Sequence, residues 1–327
     1  MIAAVTGASG HVGNTLCRKL IRQGNTVLAL VHRDENDLER MGARIVRGDL
    51  LDKQSLENLI RDADVVFHLA AKIAIDERNR YDVIRTNVEG TGNIIEACIG
   101  SGKRRFIHFS SIHVFDHFPL DQKLDETRPL IGHSRMIYEH SKTESEKLVL
   151  EAAGKGLDAV VLTPTAIIGP YDFKPSLLGR ALIQIFRNTL PMLVPGGYNW
   201  VDVRDVADAA ISAVEKGRQG ERYILSGTWL SLIELSQLMS EITRRKTPKR
   251  IVPGYVAAIG SPFISVYSRI RKEQPLYTRD SLEILRNSNR NISCKKASEE
   301  LGYLPRPLEI TLKDTFEWFK SNGFIES

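Results

Sequence analysis

The chain has 327 residues, 42% of them hydrophobic, and 45 basic against 40 acidic side chains give a formal charge of +5. That length carries a full core and suits one domain with a smaller appended part, while mild, dispersed basicity without a lysine-rich tail gives no footing for nucleic acid. Cys17, Cys98 and Cys294 are odd in number and far apart, which excludes a disulfide framework or a metal knuckle, so no metal site is expected.

The apolar run from Ile2 to Val5 enters Thr6-Gly7-Ala8-Ser9-Gly10-His11-Val12-Gly13 directly. A strand over 2–6 turning through glycines into a helix over 12–23 brings backbone N–H groups and the positive end of the helix dipole to one point, where a pyrophosphate settles. Gly7 takes the tight turn, Gly10 lets phosphates approach the backbone, and Gly13 allows the helix to pack closely on the strand; Ser9, His11 and Val12 complete the loop. Because residue 2 already belongs to the fold, with no charged-then-apolar leader before it, a cytoplasmic chain is expected.

The second strand is predicted over 26–31 and ends Val31-His32-Arg33. An acidic residue at this place would bond the ribose 2′-hydroxyl of NAD; here Arg33, helped by His32, is placed for a 2′-phosphate. NADP is therefore expected ahead of NAD, and Asp34 is the residue that would reverse the order if the loop displaced it into the acidic position. Strands at 43–46, 65–69, 105–110 and 159–163 alternate with helices near 53–61, 80–100 and 135–153. Short β-branched strands between amphipathic helices make this an α/β chain with a Rossmann-type, doubly wound parallel sheet.

After Pro164 the texture changes. Helices near 175–187, 204–216, 231–243, 255–270, 279–286 and 308–321 alternate with brief apolar runs at 223–225 and 250–252, as in a smaller, mostly helical lobe over the carboxyl ends of the strands. Residues 1–165 are thus expected to bind a dinucleotide, with 198–225 returning to them, and 166–327 mainly to bind substrate. The stretch 251–270 is broken by Pro253, Gly254, Gly260 and Pro262. It suits a lid or an interfacial helix better than a membrane span. The basic cluster Arg244, Arg245, Lys246, Lys249 and Arg250 reads as a solvated connection.

Reactive groups concentrate in Tyr138-Glu139-His140-Ser141-Lys142. Tyrosine and lysine four apart share one helix face, and an adjacent ammonium favours the phenolate, which pulls the phenol below its usual value near 10. Tyr138 can then exchange a proton with an alcohol or carbonyl oxygen. Ser111, where the fifth strand ends, can donate to the same oxygen.

Taken together, Thr6-Gly7-x-x-Gly10-x-x-Gly13, Gly48-Asp49-Leu50, His68-Leu69-Ala70-Ala71, Asn87-Val88-x-Gly90-Thr91, Ser110-Ser111, Tyr138-x-x-x-Lys142, Ile168-Gly169-Pro170 and Val203-x-Asp205-Val206-Ala207 resemble the extended short-chain dehydrogenase/reductase family over nearly the whole chain. The resemblance implies Ser111, Tyr138 and Lys142 as the catalytic set, with Asp49 and Leu50 bordering the adenine. It implies Leu69, Ala70, Ala71 and Lys72 along the ribose and phosphates, Lys142 on the nicotinamide ribose, and Pro164 and Ile167 beside the nicotinamide. Asn87 either steadies the active-site end of the sheet or merely caps a helix or turn. Homodimerisation through the helices near 80–100 and 135–153 is also implied as possible.

The departures narrow the reading. Ile112 and His113 stand where sugar dehydratases of the family carry an acidic pair, so dehydration is not expected. Ala166 and Tyr198 replace the asparagine and arginine with which nucleotide-sugar epimerases grip a diphosphate, unless Arg180, Arg187 or Arg204 supplies the charge. What remains resembles the dihydroflavonol 4-reductase-like and 3β-hydroxysteroid dehydrogenase-like branch, which implies an apolar carbonyl or alcohol substrate; Phe173, Phe186, Trp200, Trp229, Tyr255, Phe263 and Tyr267 suit either that ligand or a plain core. His113 reads equally as a donor to the substrate or as a bonded histidine at the strand end. Two alternatives stand beside the reductase: an epimerase holding NAD permanently, and a non-catalytic dinucleotide-binding redox sensor.

Overall fold

The structure is a computed structural model and describes residues 1–33, 37–73, 80–102, 105–132, 134–190, 192–252 and 278–326. β1 (Ile2–Thr6), β2 (Thr26–Val31), β3 (Arg44–Arg47), β4 (Val65–His68), β5 (Arg105–Phe109), β6 (Ala159–Pro164) and β9 (Arg222–Leu225) form one sheet in the order β3-β2-β1-β4-β5-β6-β9. Every pairing in it is parallel. All residues of β4 and β6 are buried, as a sheet covered on both faces requires. α1 (His11–Arg22) presses Leu16, Cys17 and Leu20 onto one face; α2 (Lys53–Ile60) presses Leu56, Leu59 and Ile60 onto the other. Burial in this apolar layer pushes the Cys17 thiol up to about 12, so it behaves as a small hydrophobe.

The helix predicted over 80–100 is present with an interruption. α3 (Arg80–Ile84) and α4 (Gly90–Gly100) are joined by a π turn over Arg85–Glu89 that carries Asn87. α5 (Ile137–Gly154) follows β5 and packs beside α4. The chain order places the reversal of winding between β1 and β4, where a crevice opens at the carboxyl ends of such strands.

Beyond β6 a second sheet appears that the sequence did not announce, in the order β10-β8-β7: β7 (Ala166–Ile168), β8 (Gly197–Asp202) and β10 (Thr228–Ser231). Their three to six residues show no clean alternation. Around this sheet lie α6 (Leu177–Phe186), α7 (Val203–Lys216), α8 (Leu232–Thr243), α9 (Arg279–Arg286) and α11 (Leu308–Ser321), while α10 (Lys295–Leu301) packs on α7 and β9. α7 packs on α1, and β9 extends the large sheet. The strand predicted at 250–252 reduces to a single bridge between Leu193 and Ile251. The helix predicted at 255–270, with the lid or interfacial role considered for it, lies outside the described residues, as does Asp34. Among the described residues no helix is long and apolar enough to cross a membrane.

The Val203-x-Asp205-Val206-Ala207 motif has a structural purpose. Asp205, 5% exposed, accepts from Arg306 N at 2.8 Å, from Nε at 2.8 Å and from Nη2 at 2.5 Å, tying α7 to the segment before α11. Asp202 caps α7 through Arg204 N, while the Arg204 guanidinium spans Asp202 and Asp314; against the upward push of burial, that guanidinium holds the Asp202 carboxyl low. Arg204 is thus committed to structure. Asp205→Ala removes three charge-assisted hydrogen bonds and leaves Arg306 facing Asp202 alone. It should lower the unfolding free energy by about 3 kcal/mol, seen as an earlier urea midpoint at constant m-value; an unmoved midpoint contradicts the clamp.

Candidate active site

The loop after β1 fits a phosphate by what it lacks. Gly7 has φ +70°, and a Cβ there would stand 2.6 Å from Ala70 N; one on Gly13 would stand 2.1 Å from the Gly7 carbonyl oxygen. Gly10 caps α1 without a side chain, and no acidic residue occupies the first turn, so nothing from that turn competes for its amides. His11 is tied down, its Nε2 2.9 Å from Pro170 O. These residues form a cradle that a backbone-bound anion fits and that a methyl group would fill.

From the cradle a cavity of about 450 Å³ runs along the strand ends. Gly7, Gly10, His11, Val12, Gly13, Leu69, Ala71, Ser111, Tyr138, Lys142, Pro164 and Ile167 all line it, so one space joins the glycine loop to the serine, tyrosine and lysine. Ser9 is half-buried in the loop, and Ala70 follows β4 with its N–H donated to Thr6 Oγ1 at 3.3 Å. His32, Arg33, Asp49 and Leu50 sit further out, at the ends of β2 and β3. His32 Nδ1 is 3.1 Å from Asp49 Oδ2. Leu50 is buried under Gly90. Lys72 turns its ammonium outward to Asp82, at 3.1 Å. Among the described residues no group of His, Cys, Asp and Glu gathers to hold a metal.

Ser111, the N-cap of the short 3₁₀ turn over Ile112–Val114, is 8% exposed, and its hydroxyl is close enough to Tyr138 to favour the phenolate slightly. Burial outweighs it and pushes the phenol up from its ordinary 10. This corrects the expectation that Lys142 pulls the phenol down. Lys142 stands one helical turn below and spends its ammonium on the Phe109 carbonyl, at 2.5 Å; burial brings its own value down to about 8, against the opposing field of Glu146. Tyr138 is therefore a protonated donor at neutral pH, and Lys142 a cation that loses its charge in mildly alkaline solution.

Asn87 is a tie rather than a cap. Its Oδ1 accepts from Lys72 N at 2.7 Å, while its Nδ2 donates to Lys72 O at 3.1 Å and to Ser141 Oγ at 2.9 Å. Ser145 Oγ donates to its carbonyl at 2.7 Å. The loop after β4 is thereby fastened to α5, which carries both Tyr138 and Lys142. The π turn frees these backbone groups for the purpose. His113 lines the cavity with Nδ1 3.8 Å from Glu139 Oε1, and burial, with His117 stacked 5.7 Å away, takes it down to about 3 and keeps it neutral.

The substrate end differs from expectation. Phe173 packs on Trp318, Phe186 on Phe316, Trp200 donates to Leu230 O at 3.0 Å, and Trp229 lies under Arg290; none lines the cavity. Tyr255, Phe263 and Tyr267 lie outside the described residues. The apolar wall comes instead from Ile112, Met136, Leu177, Leu178, Ile284 and Ile292. Ala166 and Tyr198 do line it, and among the described residues no arginine does, Arg180, Arg187 and Arg204 included. The contribution of α9 went unread because its sequence signals, a Thr278–Ser281 capping box and an amphipathic face, specify a helix without saying where it docks.

The model of the NAD dependent epimerase/dehydratase family matches residues 3–226. The chain is 29% identical over 331 residues to "Sterol demethylase protein B" of Methylococcus capsulatus, covering 99% of this chain and all of that one. It is 30% identical over 338 residues to "Putative dihydroflavonol 4-reductase" of Synechocystis sp., covering 99% and 96%. The solved structure of gox2253 superposes with a TM-score of 0.83 at 30% identity, over 99% of both chains.

Asn87→Ala should strand the Lys72 N–H and Ser141 and cost about 2–3 kcal/mol of stability, with weaker NAD(P)H binding in a fluorescence titration. Stability and affinity both equal to wild type would show that the tie is dispensable.

Proposed function

The chain belongs to the NAD dependent epimerase/dehydratase family, and we propose that it is an NADP(H)-preferring oxidoreductase that interconverts a carbonyl and an alcohol on a small, largely apolar substrate. One observation carries the reading: Ser111, Tyr138 and Lys142 open into the same cavity as the glycine loop. The dinucleotide would rest on residues 1–165 with the returning part of 198–225, the substrate mainly on 166–327. Gly7, Ser9, Gly10, His11, Val12 and Gly13 would hold the pyrophosphate, Asp49 and Leu50 the adenine, Leu69 to Lys72 the middle of the ligand, and Pro164 and Ile167 the nicotinamide. His32 and Arg33 follow β2 beside Arg47, which lies in register with Val31, and this exposed basic group supports a 2′-phosphate.

When bound, the nicotinamide supplies or accepts hydride. The chain's own residues orient the substrate and move the proton. Ser111 and Tyr138 hold the reacting oxygen from two sides, and Tyr138 Oη, kept protonated by its burial, delivers its proton as the alcohol forms. Lys142 supports the site as a fixed positive charge and would bond the ribose. The apolar wall, with Ala166 and Tyr198 where a diphosphate would need polar partners, favours a ketone or aldehyde over a nucleotide sugar. The names of the relatives, a dihydroflavonol 4-reductase and a sterol demethylase protein, point the same way.

A panel of hydroxy and keto compounds, run with both nicotinamide cofactors, tests this reading, with faster turnover by NADPH than by NADH. Tyr138→Phe should reduce turnover about a hundredfold or more while leaving NADPH binding nearly intact. Full activity in that variant refutes the assignment, and nucleotide-sugar activity with copurified NAD would replace the reductase by an epimerase. The pH profile should be flat through neutrality and fall above about 8 as Lys142 loses its proton; activity rising through that range would mean that the amine, not the ammonium, is the working form.

A further inference from the structure

α5 places Tyr138, Lys142 and Glu146 at positions i, i+4 and i+8, so phenol, ammonium and carboxylate descend one helix face. The Glu146 side chain has no exposure at all. Glutamate is almost never buried so fully unless it is closely paired. Here the pairing is loose: Arg222 Nη1, on β9, stops 3.6 Å from Oε1, and the Ser110 hydroxyl faces the same group. Arg222 is itself held elsewhere, donating to Glu126 O at 2.9 Å and lying 5.0 Å over the Phe115 ring. Burial pushes the Glu146 carboxyl up, while Ser110, Arg222 and Lys142 oppose that push.

Among the described residues, the other groups around the Lys142 ammonium bring no negative charge. From β5 come the Phe109 carbonyl and His108, and from β4 comes His68, whose ring lies 5.4 Å from that of His108. Both histidines are buried and neutral, held low by burial first and by Lys142 second. His68 is fixed between Thr6 Oγ1 and Thr91 Oγ1, at 2.8 and 2.9 Å. Tyr138, one turn above, is uncharged. Glu146 alone among these neighbours carries a charge whose field opposes the desolvation of Lys142.

We infer that Glu146 is a positioning residue for the reaction proposed above, its buried carboxylate keeping Lys142 an ammonium beneath the crevice. It touches neither dinucleotide nor substrate and acts through Lys142. The inference rests on the reductase reading for its catalytic consequence, whereas its effect on Lys142 is measurable without turnover.

The test compares wild type, Glu146→Gln and Glu146→Asp between pH 6 and 10, following ketone reduction with NADPH and, separately, NADPH affinity by its fluorescence. Without the carboxylate, Lys142 should lose its proton sooner, so the alkaline limb of both profiles should move down by about one pH unit in Glu146→Gln. Activity at pH 6 should stay within about threefold of wild type, because the ammonium is restored there. Glu146→Asp keeps the charge but withdraws it by one methylene; its limb should move less, in the same direction, and it decides the matter alone if the glutamine variant does not fold. A limb that stays in place, or a loss uniform across pH, overturns the inference. If wild type reduces none of the panel, the reductase reading fails, and the NADPH-affinity limb still decides the role of Glu146.

Discussion

Lys142 must be carried as a cation into a place water barely reaches, and much of the polar structure beneath the crevice follows from that requirement. The residue is 4% exposed, and its ammonium donates one hydrogen bond to the Phe109 carbonyl at 2.5 Å. The desolvation of such a group is costly, and it shows as a value lowered to about 8. His68 and His108, beside it on adjacent strands with their rings tilted 31° to each other, respond by staying neutral. The sheet, usually a purely apolar layer in folds of this kind, is here threaded by a polar column from Thr6 through His68 and Thr91 to the Asn87 carbonyl.

That column also explains how the crevice holds its shape. α5 carries the phenol and the ammonium, but its position against the sheet is fixed by Asn87 and by Ser141 and Ser145, which bond the same π turn. The loop after β4, which would run beside the dinucleotide, hangs from the amide of Asn87 by two hydrogen bonds. The glycine cradle is closed on its other side by Ala70 and Leu69, near enough to Gly7 that any side chain there would collide. One buried amide thus sets the distance between the part of the cavity that fits a phosphate and the part that holds the phenol. The α7 clamp, through Asp205 and Arg306, plays the corresponding role for the segment leading into α11.

Six strands of the large sheet were legible because nearly all are apolar runs bounded by glycine or helix signals, whereas β9 was read only as a brief apolar run in a segment returning to the dinucleotide-binding part. The glycine loop, Ser111, Tyr138 and Lys142 were legible because backbone geometry and proton transfer each demand particular residue types at fixed spacing. The small sheet was not, since β7 has three residues and the short alternation of Tyr198 and Trp200 with Gly197 and Asn199 in β8 is not matched by its burial. The sense of the Tyr138 shift was misread for a related reason: Tyr-x-x-x-Lys fixes a helical face but says nothing of burial, and burial outweighs the lowering effect of the Ser111 hydroxyl. Of the aromatic residues offered as a substrate wall, Phe173 and Phe186 pack instead against Trp318 and Phe316, partners more than a hundred residues away that no local pattern links to them.

Hydride chemistry with net turnover of the dinucleotide is the central claim, and counting cofactor against product tests it most directly. With a ketone from the panel and excess NADPH, one dinucleotide should be oxidised for each alcohol released, and the carbon-bound hydrogen of that alcohol should come from the reduced cofactor rather than from solvent. Substrate conversion with no net change in the dinucleotide would contradict the account, since the hydride would then have been returned to the molecule it came from.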